Sequence, residues 1–255
     1  MLKEFRADLH VHTVLSPCGS LDMSPARIIS EARQKHIDIL AITDHNSTRQ
    51  CRVVMELGRK AGITVWGGAE INTREEVHCL AFFEQETALE EFQQWLDRWL
   101  VKIKNKSGYF GDQVWVDAKD NILGEEEWLL IAALDRTIDQ SYEEVHRLGG
   151  VFAPAHIDRK SNSLNSQLGF VPPDIRADAL EISPSATLEL VRMNGWNKIK
   201  PLIAGSDAHQ PERLGLNMTQ LKMKNTSLGE FKKALIEVDG RSVIPERLQE
   251  TPGCQ

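Results

Sequence analysis

Short apolar runs alternating with capped helical stretches constrain this chain more than any other feature. The runs fall at 5–11, 37–42, 63–69, 77–83, 150–155, 179–182 and 201–204, rich in Val, Ile, Leu, Phe or Ala, and they read as strands. Between them, Ser24-Pro25 supplies a cap and a first-turn proline for a helix over ARIISEARQKH. Ser47 opens a second helix, TRQCRVVMELGRKAG, which Gly62 stops. Capping-box spacings at Thr87-x-x-Glu90, Ser141-x-x-Glu144 and Ser227-x-x-Glu230 each precede an apolar-periodic segment. Strands alternating with helices predict an α/β fold with a mostly parallel sheet covered on both faces, wound open or closed as a barrel. No repeat, low-complexity tract or linker-like shift divides the 255 residues, so one domain over 1–255 is expected. Residues 106–130 break the alternation: QVWVDAKDNILG reads as an extended pair around Lys119-Asp120-Asn121, an irregular insertion.

The composition, 41% hydrophobic and 26% charged, is that of a soluble globular protein, and no apolar run approaches the roughly 20 residues that span a bilayer. MLKEFRADLH turns polar too early for a secretory signal, which favours the cytoplasm and no membrane association. Cysteines 18, 51, 79 and 254 form no C-x-x-C pair and fit reduced thiols. A net charge of −7 argues against broad attraction to nucleic acid or anionic lipid. A small anionic substrate stays compatible, because bound cations reverse the local sign inside a carboxylate-lined site. Oligomeric state is not legible.

Six of the eight histidines, at 10, 12, 45, 78, 156 and 209, lie within or at the end of an expected strand; His36 and His146 fall in expected helices. In a parallel α/β architecture the strand ends open on one face, so these six should converge. Strand period two puts Asp8, His10 and His12 on one face, with Ala7, Leu9 and Val11 on the other. Two imidazoles then point the same way, a pair suited to zinc or iron, with carboxylates widening the range to manganese. The run 39–42 ends in Thr43-Asp44-His45-Asn46, which is also good turn and cap chemistry. The strand 63–69 ends in Gly68-Ala69-Glu70, a glutamate able to bridge two ions. His78 sits inside VHCLAFF, His156 closes VFAPA with Arg159 and Lys160 just beyond, and Leu202-Ile203-Ala204 runs into Gly205-Ser206-Asp207-Ala208-His209.

Asp8-Leu9-His10-Val11-His12-Thr13, Thr43-Asp44-His45-Asn46, Gly68-Ala69-Glu70, Ala155-His156 and Gly205-Ser206-Asp207-Ala208-His209 together resemble the motifs of the PHP (polymerase and histidinol phosphatase) family, in that family's order. The resemblance implies a distorted (β/α)7, TIM-like barrel with two or three divalent metal ions (Zn, Mn or Fe) at the strand ends. By position it implies a first metal on His10, His12, Glu70 and Asp207. Glu70 would bridge to a second metal on His78 and His156, and a third would use His45 and His209. Trinuclear members usually add a histidine or an acid shortly after the H-x-H, and here Cys18 stands about there, with Asp22 as substitute. A thiolate would favour zinc or iron over manganese.

The implied chemistry is hydrolysis of a phosphate ester by a metal-activated hydroxide, and no Walker-type G-x-x-x-x-G-K-[ST] supports nucleotide-driven transfer. Asp8 and Asp44 are cast as carboxylates that orient imidazoles. Asp207 or His209 is expected to serve the leaving alcohol. Arg74, Arg159 and Lys160 follow ligand-bearing strands and are expected to clamp phosphate. The expected substrate is a small phosphorylated metabolite or nucleotide. Two other readings are exonuclease action on short oligonucleotides and a metal-stabilised scaffold without turnover.

Overall fold

The computed structural model describes residues 1–249; Cys254 lies outside the described residues. All seven apolar runs form strands: β1 (Lys3–Val11), β2 (Ile39–Ile42), β3 (Thr64–Asn72), β4 (His78–Phe83), β7 (Val151–Pro154), β8 (Leu180–Ile182) and β9 (Leu202–Ala204). The insertion contains the expected extended pair, β5 (Val114–Val116) and β6 (Ile122–Glu125). Two further strands, β10 (Thr219–Met223) and β11 (Ser242–Pro245), lie where no apolar run marks them. Helices α1 (Pro25–Gln34), α2 (Cys51–Ala61), α3 (Glu86–Trp99), α4 (Ser107–Phe110), α5 (Ile138–Arg147), α6 (Leu164–Leu168), α7 (Leu188–Asn194) and α8 (Leu228–Leu235) connect them.

Seven strands form one sheet in the order β11-β10-β1-β2-β3-β4-β7. β1, β2 and β3 are parallel, as the alternation predicts, but β4 runs antiparallel to both neighbours, and β10 is antiparallel to β1 and β11. The sheet is therefore mixed rather than mostly parallel. β3 and β4 are joined by only five residues, 73–77, too few for a helical crossover, so the chain reverses as a hairpin. The sheet curls into a half-barrel, and the short parallel pair β8–β9 stands across its gap. Ile157 N–H donates to the Glu181 carbonyl on one side, and His12 N–H to the Ala208 carbonyl on the other.

Alternate strand faces feed two apolar clusters. Ala7, Leu9, Ile39, Ala41, Trp66, Leu80, Phe82, Val151 and Ala153 pack with Phe231 of α8, whose ring lies 5.0 Å from Trp66. The opposite faces, with Leu40, Ile42, Ala69 and Ala81, pack under α1, α2 and α3 through Ile28, Val54, Leu89 and Phe92.

Local chemistry sets the helix starts. Ser24 caps α1 ahead of Pro25, and Gly62 ends α2 in the left-handed region at φ 77°, where a side chain would be strained. Three expected starts move. α2 begins at Cys51 rather than after Ser47, because the Ser47 hydroxyl donates to Gln93 of α3. α3 begins at Glu86, so Thr87 lies inside it. α5 is opened by the reciprocal box Thr137–Gln140, and Ser141 is buried within the helix. At α8 Ser227 does cap, but Glu230 turns to Arg241 and the Lys224 amide instead of completing a box.

Candidate metal centre

The six strand-end histidines converge. His10 ends on β1 beside His12, their Nε2 atoms 3.1 Å apart. The β1–β2 register slips between Asp8 and Val11, yet both imidazoles stay on one side. His78 reaches the cluster for a reason that a parallel sheet would forbid. It is the first residue of β4, and because β4 runs backwards its beginning opens on the face where β1, β2 and β3 end.

One carboxylate organises the group. Glu70 is 1% exposed. Its Oε2 faces His10 Nε2 at 3.4 Å, His12 Nε2 at 3.3 Å and His45 Nδ1 at 3.1 Å. Its Oε1 faces His78 Nδ1 at 2.8 Å and His156 Nε2 at 3.0 Å. Asp207 Oδ1 lies 3.4 Å from His10 and 3.2 Å from His12. Among the described residues three sets of donor atoms are compact enough to hold an ion: His10, His12, Glu70 and Asp207; His45, Glu70 and His78; and His12, His45 and His209. The first set is the four residues expected together. In the others His45 is shared, standing against Glu70 and His78 as well as near His209, whereas the sequence paired it with His209 alone. Cys18 Sγ lies 3.1 Å from His209 Nε2 at the exposed rim.

The donor set fits divalent cations. Buried polar atoms ordinarily find partners, yet His45 Nδ1, which faces Glu70 across 3.1 Å, is buried and makes no hydrogen bond. Burial disfavours charge on these groups, but proximity reverses that for several. Burial would raise Glu70, and the imidazoles of His78, His10 and His45 hold it well below the usual carboxylate range. His12 is pushed up to about 9, since Asp207 and Glu70 outweigh its burial. His209 is pushed down to about 4 by burial and by His12. His156 and Asp207 both take left-handed backbone, at φ 29° and 50°, a strained conformation that the neighbouring strands hold in place.

The supporting carboxylates differ from expectation. Asp8 touches no imidazole ring. It accepts from the Ser206 amide at 2.8 Å and the Gly215 amide at 2.7 Å, clasping both ends of the loop that carries Asp207 and His209, and burial raises it to about 6. Asp44 likewise touches no imidazole; it accepts from the Thr13 amide, the Thr13 hydroxyl and the Ser16 hydroxyl, each at 2.7 Å. The residue that orients His10 is Glu181, whose two oxygens lie 3.0 Å from His10 Nδ1. Glu181 is hidden in sequence inside the apolar run 179–182, where a carboxylate in the middle of a buried strand is the usable signal. Gly205 leaves room for that pair: a Cβ there would lie 2.6 Å from the His10 amide and 2.8 Å from Glu181. Among the three expected clamps, Arg159 pairs with Asp207 Oδ2. Arg74 turns away to Asp135, at 2.6 Å, and Lys160 is exposed.

Buried imidazoles and carboxylates gathered at strand ends define a metal-binding α/β protein. The PHP domain profile matches residues 8–168, more than half of the sequence, and a PHP-associated profile matches 197–238. The chain belongs to the PHP family. It is 24% identical over 277 aligned residues to the uncharacterized protein YqxK of Bacillus subtilis, covering 95% of this chain and 65% of that one. It is 33% identical over 86 residues to a phosphoribosyl 1,2-cyclic phosphate 1,2-diphosphodiesterase of Eggerthella lenta, 32% of each chain. Among solved structures it resembles the lesion-specific endonuclease Q of Pyrococcus furiosus, with TM-score 0.69 and 20% identity over 94% of this chain and 58% of that one. An endonuclease Q complex with a 27-mer duplex carrying an abasic lesion gives TM-score 0.67 at 19% identity, with the same coverage. This chain thus spans less than two thirds of the length of the first of these relatives and of both endonuclease Q chains. Among the described residues no helix is long and apolar enough to cross a membrane.

Proposed function

We propose that this chain is a metal-dependent hydrolase of phosphate esters, acting on a small phosphorylated metabolite or nucleotide. The observation that carries the reading is Glu70, a buried carboxylate with five imidazoles divided between its two oxygens, the arrangement of a bridging ligand. We assign His10, His12, Glu70 and Asp207 to one ion, and Glu70, His78 and His156, with His45, to a second. His209, His45 and Cys18 flank a third position. Two or three ions of zinc, manganese or iron suit these donors. When bound, such ions supply Lewis acidity toward water and phosphoryl oxygens.

The chain's own residues do the rest. Arg159, held beside the cluster by Asp207, presents a guanidinium fork suited to a phosphoryl group, and Lys160 adds a charge at the rim. Arg74 is dropped from the clamp because its guanidinium turns to Asp135, outside the cluster, whereas the partner of Arg159 is a member of it. Glu181 fixes His10, and Asp8 fixes the loop of Asp207 and His209. His209 has the most exposed side chain of the six imidazoles, at 25%, so with no third ion on it, it is the imidazole within reach of a leaving alcohol.

We also read the half-barrel with its β8–β9 pair as a distorted (β/α)7 barrel, and residues 1–255 as one domain with 106–130 inserted. Free thiols at Cys18, Cys51 and Cys79 support a cytoplasmic setting. The net charge of −7 favours a small substrate over a polyanion. The endonuclease Q likeness is one of fold, and it makes duplex DNA a necessary arm of the test rather than short oligonucleotides alone. That test is turnover of mono- and diesters, nucleotides, a short oligonucleotide and an abasic duplex by the metal-loaded protein. Hydrolysis confined to small esters is expected. Turnover of the duplex alone would replace the small substrate with nucleic acid, and two bound metals with no turnover would select the scaffold.

A further inference from the structure

His10 and His12 would serve the same ion, but they are held by different chemistry. His10 Nδ1 meets a carboxylate, Glu181. His12 Nδ1 meets a hydroxyl, Ser16 Oγ, at 2.9 Å. A hydroxyl can donate or accept, so on its own it leaves the tautomer of His12 open. The surroundings of Ser16 close that choice. Asp44 Oδ1, 2.7 Å away, is held by nothing but donors and takes the single Ser16 proton. The His45 amide donates to Ser16 Oγ at 3.2 Å and fills one lone pair. One acceptor position remains, and it faces His12 Nδ1. That nitrogen must then carry hydrogen, leaving Nε2 as the ligand atom turned to Glu70 and Asp207.

The geometry points to Ser16 as a positioning residue that sets the tautomer of His12, with Asp44 acting through it. Ser16 and Asp44 are fully buried, so no solvent competes for these bonds. The device also explains the place of Asp44: it steers an imidazole one hydroxyl away. Because Ser16 is neutral, the shared ion has one supporting carboxylate, Glu181, where two charged partners would add a second buried negative charge beside Glu70 and Asp207.

This inference rests on the metal-binding part of the proposal above, and its test keeps the two apart. In the zinc-loaded wild type, ¹⁵N-imidazole NMR should show His12 with a proton on Nδ1 and metal on Nε2; the opposite assignment overturns the inference while leaving the metal site intact. Zinc affinity, read by competition with a chromophoric chelator, should fall about 10–100-fold in Ser16→Ala. Ser16→Thr, which retains the hydroxyl, should restore most of that loss and the Nδ1–H signal. Unchanged affinity and signal in Ser16→Ala, or an equal loss in Ser16→Thr, would reduce Ser16 to packing. Failure of the wild type to bind zinc, manganese or iron would sink the metal reading itself.

Discussion

The strand side of the centre and its rim are built on different terms. On the strand side His10, His12, Glu70 and Asp207 are at most 6% exposed, and His10 and His12 each have a protein partner for Nδ1. At the rim Cys18 is exposed, and Arg159 and His209 have side chains 38% and 25% exposed. Buried side chains with fixed partners hold ligand geometry within tight tolerances, whereas exposed positions tolerate change and tune access. The strand side is accordingly the part on which the proposed metal binding and hydrolysis would depend most, and the rim is where preference among substrates or metals would be adjusted.

The sharpest way to break this contrast is Glu70→Ala. It should abolish hydrolysis of an aryl phosphate and remove more than one metal ion by elemental analysis; retained activity would refute the bridging role. Chelation comes next. Ions present at about 1,000 times their Kd stabilise a fold by roughly 4 kcal/mol. Stripping them should lower Tm by on the order of 10 °C for a chain of this size, measured by calorimetry. A third test acts on the backbone: Gly205→Ala should push His10 from Glu181 and weaken zinc binding at least about tenfold, read by chelator competition.

Titration should divide the two sides in the metal-free protein. His12, raised to about 9 against an ordinary 6.5, contributes stability that is complete below pH 6.5 and lost as pH rises through 9. His209, lowered to about 4, contributes stability present above pH 6.5 and lost as pH falls through 4. Histidine NMR should place the two midpoints on opposite sides of neutrality. The smallest effect is expected from Cys18→Ser: activity within roughly threefold of wild type, as for a rim position. The same variant should lose any thiolate-to-cobalt absorption that the wild type shows; its absence in both would remove Cys18 from the donors.

The strand side was also the legible side. Apolar runs that stop at His10, Asp44-His45, Glu70 and Asp207 announce themselves by period and composition, and the structure gathers all of these residues. What the sequence could not show was direction. Nothing in VHCLAFF says that β4 runs backwards, and the five-residue connection before it was the clue that the parallel expectation overrode. Nor can spacing tell a carboxylate that touches an imidazole, as Glu181 does, from one that reaches it through a hydroxyl, as Asp44 does, or from one that holds only backbone amides, as Asp8 does. The rim misled for a simpler reason. Arg74 and Arg159 look alike in sequence, and only the position of Asp135 tells them apart.

The clasp made by Asp8 has a consequence in time. Its partners include the Gly215 amide, 207 residues along the chain. Contacts so distant in sequence form late, after the entropy of closing a very long loop has been overcome. During synthesis the first histidine pair emerges well before Asp207, His209 and the clasp that seats them, which wait until residue 215 has been made. Assembly of the centre therefore waits on residues 206–215: a fragment that stops before them carries the H-x-H pair and not the closed cluster.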